Sequence, residues 1–261
     1  MWNFKSKIHK SVRDGSVVEV IEVEGVRSLY LGSMTIQSSM RVKAPFALEL
    51  AYSRCMMCFL LFSKTIKYAL SIGLGGGSVQ KYIYATCPEI HQTVVEINPQ
   101  VISTARSHFY VPENDARFNI IEADGIKYLA NHQNSADVLM IDAFDSDGIP
   151  PDFCTQDFFD SCEMTLTGDG IFAINLWGSD KNFDIYLQRM EQSFESRVLI
   201  LPTGKPGNII VFAFKQLPDL RIVNLRERAK ILEHDHKIEF LSFLEKLCEH
   251  NPHDNKQLLP V

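Results

Sequence analysis

Hydrophobic positions change their period partway along the chain. Between Ser16 and Ser38, strand-forming runs (SVVEVIEV, VRSLYLG, SMTIQSS) are separated by turn signals such as Glu24-Gly25. That pattern predicts three short antiparallel strands joined by tight turns. After Pro45 the segment FALELAYSRCMMCFLLF has no internal Gly or Pro, and it predicts one helix begun by the proline and ended near Ser63. From Tyr68 onward, strand-length apolar runs alternate with helix-period segments. They are a strand YALSIG, a helix opening at Gly77-Ser78, a strand TVVEI (93–97), a helix PQVISTARSHF, a strand RFNIIEAD, a helix GIKYLANH and a strand ADVLMIDAF. A helix from Gln156 to Leu166, a strand GIFAINLW and a helix from Phe183 to Phe194 follow. Such alternation implies right-handed crossovers and a mostly parallel sheet covered on both faces. The runs RVLILPT and NIIVFAFK flank the short turn TGKPGN, which predicts an antiparallel hairpin closing the sheet edge. Beyond Pro218 charged residues at helical spacing predict one or two surface helices, and NPHDNKQLLPV reads as a frayed terminus.

Composition narrows the class. With 261 residues, 46% of them hydrophobic and 22% charged, the chain is long enough for one large α/β core with small appendages and needs no staples. Its formal charge is −6, and its one basic cluster is short (Lys5, Lys7, Lys10, Arg13). That balance argues against a nucleic acid or an anionic membrane as partner and leaves a cationic small substrate open. The N-terminus lacks the apolar run of a signal peptide, and the most apolar window, Met56 to Phe62, is too short to span a bilayer. A cytoplasmic protein is the expectation. The six cysteines sit at irregular spacings, so they read as reduced thiols. Cys55 and Cys58 form a C-x-x-C that could be redox-active or half of a zinc site. It lies inside an apolar run with no second pair at zinc spacing, so buried structural thiols are the reading taken. His234-Asp235-His236 and His250-x-x-His253 read as solvated surface residues, and no metal site is expected.

The sharpest chemical signal is Ile72-Gly73-Leu74-Gly75-Gly76-Gly77-Ser78, between a buried strand and a helix start. Glycines there permit a tight turn and close approach of the backbone to a ligand, while the helix N-terminus offers free N–H groups. Ser78 stands where a dinucleotide fingerprint needs its third glycine, which counts against NAD. Tight strand-to-helix packing with no ligand would also use such glycines. Glu96 ends the next strand, 19 residues after Gly77, where a carboxylate can accept from both hydroxyls of a ribose. Asp124-Gly125 ends the third strand and Asp142 the fourth, so four strand ends aim ligand-type residues at one crevice. Asp124 and Asp142 would equally serve as helix caps. Asp142 is followed by Asp145 at the spacing of one helical turn.

On these motifs the chain resembles the spermidine synthases, the aminopropyltransferase branch of the class I methyltransferase fold, over residues 16–215. The order of IQSS, GLGGGS, VEINP, EADG, IDAFD and the closing hairpin carries the likeness. It implies a Rossmann-like nucleoside- and sulfonium-binding catalytic domain at 46–216, preceded by a β-strand region at 1–45 and followed by a helical extension at 217–261. It also implies decarboxylated S-adenosylmethionine at Gly73, Gly75 and Gly77, with Glu96 on the ribose and Asp124 and Gly125 on the adenine side. Gln37 lines the same site. Asp142 and Asp145 take the D-x-x-D roles of receiving the attacking amine, with Tyr52 beside them. A homodimer formed through the N-terminal strands is implied as well.

The departures matter too. The family's donor-gripping aspartate aligns with Gly76 and its Tyr-His-Glu with Tyr52-Ser53-Arg54, and a second pocket tyrosine falls near Gly204. Asn175-Leu176-Trp177, with GLGGGS, resembles a bacterial spermidine-synthase-like branch. The departures predict weak or absent turnover of putrescine, with Arg54 repelling a diamine if it faces the pocket. Three functions remain in play: aminopropyl transfer to an amine, methyl transfer from S-adenosylmethionine, and nucleoside binding without catalysis.

Overall fold

The computed structural model describes residues 5–13, 16–63, 65–144, 148–204 and 207–260. Its first sheet runs β1 (Lys5–Arg13), β2 (Ser16–Val23), β3 (Val26–Leu31) and β4 (Ile36–Arg41), each neighbouring pair antiparallel. The sequence predicts three strands here, and β1 is the addition. It is an edge strand held by its ladder with β2 and by Lys7 and Lys10 pairing with Glu19. Its own apolar residues, Ile8 and Val12, remain exposed, so no hydrophobic alternation announces it.

The single helix expected after Pro45 is two, α1 (Ala51–Met56) and α2 (Phe59–Phe62). Between them, bonds three residues apart take over, from Met57 N to Arg54 O (3.1 Å) and Cys58 N to Cys55 O (3.0 Å). Every residue from Cys55 to Phe62 is buried, so the stretch lacks a solvent face that would fix a helical period.

The second sheet contains β5 (Tyr68–Ile72), β6 (His91–Glu96), β7 (Phe118–Glu122), β8 (Ala136–Ile141), β9 (Leu166–Trp177), β10 (Val198–Pro202) and β11 (Asn208–Phe214), in the spatial order β10-β11-β9-β8-β5-β6-β7. The pairs from β9 to β7 are parallel, and β11 is antiparallel to both neighbours. Between the strands run α3 (Ser78–Thr86), α4 (Pro99–Phe109), α5 (Gly125–Ala130), α6 (Gln156–Thr165) and α7 (Phe183–Ser193). Local signals start them: Asn98 accepts from Gln100 N ahead of Pro99, and Thr155 accepts from Phe158 N.

Both faces of this sheet are buried, as a parallel sheet requires. Val138, Met140, Ile171, Ala173, Ile210 and Phe212 face one core, shared with α1, α2 and α3. Leu139, Ile141, Phe172, Ile174 and Val211 face the other, shared with α6 and α7. A third cluster joins β2, β3 and β4 to α4 through Val18, Leu29, Met40, Val101 and Phe109.

The C-terminal helices α8 (Ile222–His236) and α9 (Phe240–His250) bury Leu225, Ala229, Phe240, Phe243 and Leu247 in the first of these cores. The tail after them is not frayed. Asn251 bonds the backbone of Ile200 in both directions (2.7 and 2.8 Å), Leu258 is 1% exposed, and its N–H donates to Leu220 O (3.1 Å). Single anchors in a polar segment leave no periodic trace. His236 likewise departs from the solvated reading, because its Nδ1 lies 3.1 Å from the Tyr82 hydroxyl. Among the described residues no helix is long and apolar enough to cross a membrane, and no group of three or more His, Cys, Asp or Glu converges.

Candidate active site

At the C-terminal edge of the parallel strands lies a cavity of about 1120 Å³. It sits outside the strand ends where ligands bind in open α/β sheets. Gly73, Gly75, Glu96, Asp124, Gly125 and Asp142 line it from the sheet side, and Gln37 and Tyr52 from β4 and α1. Gly77 does not line it. Asp145 lies outside the described residues.

The glycine turn is left-handed at Gly73 (φ 93°), Gly75 (φ 53°) and Gly77 (φ 63°), conformations that only glycine adopts cheaply. Gly77 caps α3, where a Cβ would stand 2.5 Å from Val111. Its role is therefore packing and turn geometry. A Cβ on Gly76 would stand 2.7 Å from Ser38 Oγ and 3.0 Å from Phe109. The Ser38 hydroxyl, 3.0 Å from that of Ser78, thus crowds the position where a side chain at 76 would begin.

Glu96 is buried at the end of β6. One of its oxygens accepts from Leu74 N (3.0 Å) inside the glycine turn, and the other from Asn98 N (2.8 Å). Burial raises its pKa, and those backbone N–H groups pull it back. Ile97 N–H also bonds the carboxylate, which still has lone-pair capacity left for a ligand hydroxyl. Asp124 does both things the sequence left open. It caps α5 by accepting from Ile126 N (3.0 Å) and Lys127 N (3.3 Å), and it also lines the cavity. Gly125 lets α5 start against β5, because a Cβ there would meet Ile72 at 2.3 Å.

Among the described residues Asp142 caps no helix. Its Oδ1 accepts from Asn175 Nδ2 (2.9 Å), and the Tyr52 hydroxyl lies within its hydrogen-bond reach. Surrounding protein raises the pKa of Asp142, while Asn175 and Tyr52 lower it. Tyr52, which donates to Gln37 O (3.1 Å), has its phenol pushed up by burial and by the Asp142 charge. Four acidic side chains, Glu96, Asp124, Asp142 and Asp152, line the cavity, and none of the described lining residues is Lys, Arg or His. Such a site favours cationic ligands.

Arg54 does not face this cavity. It forms an ion pair with Glu239 (2.9 Å), which directly precedes α9, and donates to Leu48 O and Glu49 O. The repulsion of a diamine expected from it is removed. Ser53 is buried and donates to Leu50 O (2.7 Å), and neither it nor Gly204 lines the cavity. The sequence reading missed Asn208 and Asp152 and gave no role to the stacked pair Phe144 and Trp177, whose ring centroids are 5.6 Å apart. It noted Asn175 only as part of a motif.

Strand order, glycine turn and strand-end carboxylates together define a Rossmann-like transferase fold of the class I methyltransferase type. The spermine/spermidine synthase domain model matches residues 49–220, and the chain belongs to that family. A polyamine aminopropyltransferase of Chromobacterium violaceum is 40% identical over 99% of this chain and 100% of its own length. Among solved structures, spermidine synthase in complex with the transition-state analogue AdoDATO aligns with a TM-score of 0.72 at 21% identity, covering 91% of this chain and 84% of that one, a likeness of fold. Human Methyltransferase-like protein 13 in complex with SAH aligns with a TM-score of 0.65 at 25% identity, covering 72% of this chain and 93% of its own.

Proposed function

We propose that the protein transfers the aminopropyl group of decarboxylated S-adenosylmethionine to a small amine. The observation that carries this reading is Asp142, held at the wall of a cavity with three further carboxylates and no cationic lining side chain among the described residues. A sulfonium donor and an ammonium acceptor are both cations, so such a wall attracts both. The amine arrives protonated, with a pKa near ~10.4 on the lysine scale. Asp142 receives its proton as the nitrogen attacks the carbon next to sulfur. The N–C bond forms, the C–S bond breaks, and the neutral thioether methylthioadenosine leaves. Glu96 holds the ribose, the glycine turn approaches the donor, and Asp124 marks the adenine end. The protein's main contribution is orientation.

The second reading, methyl transfer from S-adenosylmethionine, draws on Gly76, which leaves no carboxylate in the turn to repel a donor carboxylate. A product assay with each donor and a panel of amines separates the two. Aminopropyl products with decarboxylated donor support the first reading, whereas methylated products alone replace it.

The same reading includes a homodimer through the first sheet, whose terminal strand β1 has one neighbour, β2. Light scattering on the purified protein tests it, and a monomer at micromolar concentration would discard it.

A further inference from the structure

Three adjacent strands end their stripe toward the α1 face on a polar residue, at the same edge of the sheet. On β8 the stripe runs Val138, Met140, then Asp142 just past the strand end; on β9 it runs Ile171, Ala173, Asn175. On β11, running the opposite way, it reads Phe212, Ile210, Asn208. The period of two places all three polar side chains on one face. Register does the rest: Asn175 pairs with Ile210 and Asn208 with Trp177, so the two asparagines are diagonal neighbours.

The contacts form a directed chain. Asn208 Nδ2 donates to Asn175 Oδ1 (2.9 Å), and Asn175 Nδ2 donates to Asp142 Oδ1 (2.9 Å). Asn208 is anchored where its carbonyl accepts from Thr203 N (2.9 Å) and Thr203 Oγ1 (3.0 Å) across the hairpin turn. An amide can present either its oxygen or its NH2 to a neighbour. The donor on Asn208 fixes the choice, because a flipped Asn175 would set its oxygen against the Asp142 carboxylate and its NH2 against that of Asn208. Asn175 is 2% exposed, so water does not substitute readily for either bond.

We propose that Asn175 and Asn208 are positioning residues that hold Asp142 as an oriented carboxylate, with Oδ1 engaged by Asn175 and the group thereby aimed at the acceptor ammonium. Other ionisable groups sharing the cavity are Tyr52 from α1, Glu96 and Asp124 at neighbouring strand ends, and Asp152 after β8. Among the described residues, Asn175 donates to the Asp142 carboxylate and the Tyr52 hydroxyl lies within its hydrogen-bond reach. Loss of the Asn175 donor therefore acts on Asp142 directly. The catalytic consequence rests on the transfer reading, whereas the titration of Asp142 does not.

The test is a carbon NMR titration of the full chain labelled at aspartate Cγ, with Asp142→Asn identifying the resonance. Asn175→Ala is expected to raise the Asp142 midpoint by about one unit or more. Asn208→Ala should raise it by less, and the double variant should match Asn175→Ala alone. If Asn175→Ala fails to fold, the half-buried Asn208 carries the test, and its midpoint must still rise. In turnover, the acid limb of kcat should move by the same amount while the KM for the donor stays unchanged. An unmoved midpoint in both folded variants overturns the proposal even if aminopropyl transfer is found. A midpoint raised in the variants, together with a wild-type protein that shows no transfer activity, would sustain the positioning role and discard the functional reading.

Discussion

A Cβ on Gly73 would stand 2.3 Å from the carbonyl oxygen of Asp142, where real Cβ contacts essentially never fall below 3.0 Å. The ends of β5 and β8 are zipped together at this point, with Asp142 N donating to Ile72 O (3.0 Å). The residue that shapes the donor turn therefore also permits the acid to sit beside it. One glycine couples the two halves of the site.

Gly73→Ala should fail on both counts. The left-handed backbone at φ 93° alone costs about 1–3 kcal/mol for a residue with a Cβ, and the clash displaces Asp142. Thermal unfolding should show a loss of that order, and transfer should fall together with adenosyl-ligand affinity. Wild-type kcat in this variant would contradict the coupling.

Glu96→Ala should weaken adenosyl ligands by about 1.5–3 kcal/mol for each ribose bond lost. The structure adds a second effect, since Glu96 also holds Leu74 N within the turn. Calorimetry with methylthioadenosine measures the outcome. Unchanged affinity would remove Glu96 from the site.

Much of this was legible in the sequence because the signals are local. The GLGGGS turn, the VEINP strand end and the hairpin around TGKPGN each announce themselves by residue type and spacing, and the mostly parallel character of the sheet follows from alternating strands and helices. What escaped has a different physics. Strand β1 is held by backbone pairing and surface ion pairs, so it carries no hydrophobic pattern. The break at Met57-Cys58 lies in a run buried on every side, where all positions are apolar and no period exists. Asn208 reaches Asp142 through Asn175 only by the register of two antiparallel strands. Its sequence trace is faint, a polar residue where the stripe of Phe212 and Ile210 was due to continue.

Arg54 supplies a prediction that the sequence alone would have reversed. Because its guanidinium is engaged by Glu239 and by Leu48 and Glu49 carbonyls, Arg54→Ala should leave the KM for an amine acceptor unchanged. It should instead cost about 1–2 kcal/mol of stability, the range for a half-buried, multiply bonded pair. Steady-state kinetics and urea unfolding together decide this. An acceptor KM lowered tenfold would return Arg54 to the pocket.

Lys81, on α3, is 1% exposed, and its ammonium donates to the Phe109 carbonyl (2.6 Å) at the C-terminal end of α4. Helix polarity favours a cation there, but burial dominates and pushes the lysine down to about 8 from an ordinary 10.5. Below pH 8 both folded and unfolded chains hold the proton, and the folded one bears the cost of a buried charge. Between 8 and 10.5 the folded protein releases a proton that the unfolded chain keeps, so this group's contribution to stability rises with pH across that window. The full change is at most about 3 kcal/mol. Lys81→Met removes the titration, and comparing the two proteins by urea unfolding cancels the cysteines and tyrosines that also titrate above pH 9. The stability of Lys81→Met relative to wild type should therefore decline as pH is raised from 7.5 to 10.5. A difference that stays constant over that range would mean the ammonium is solvated or paired in solution, and the buried placement of Lys81 would have to be abandoned.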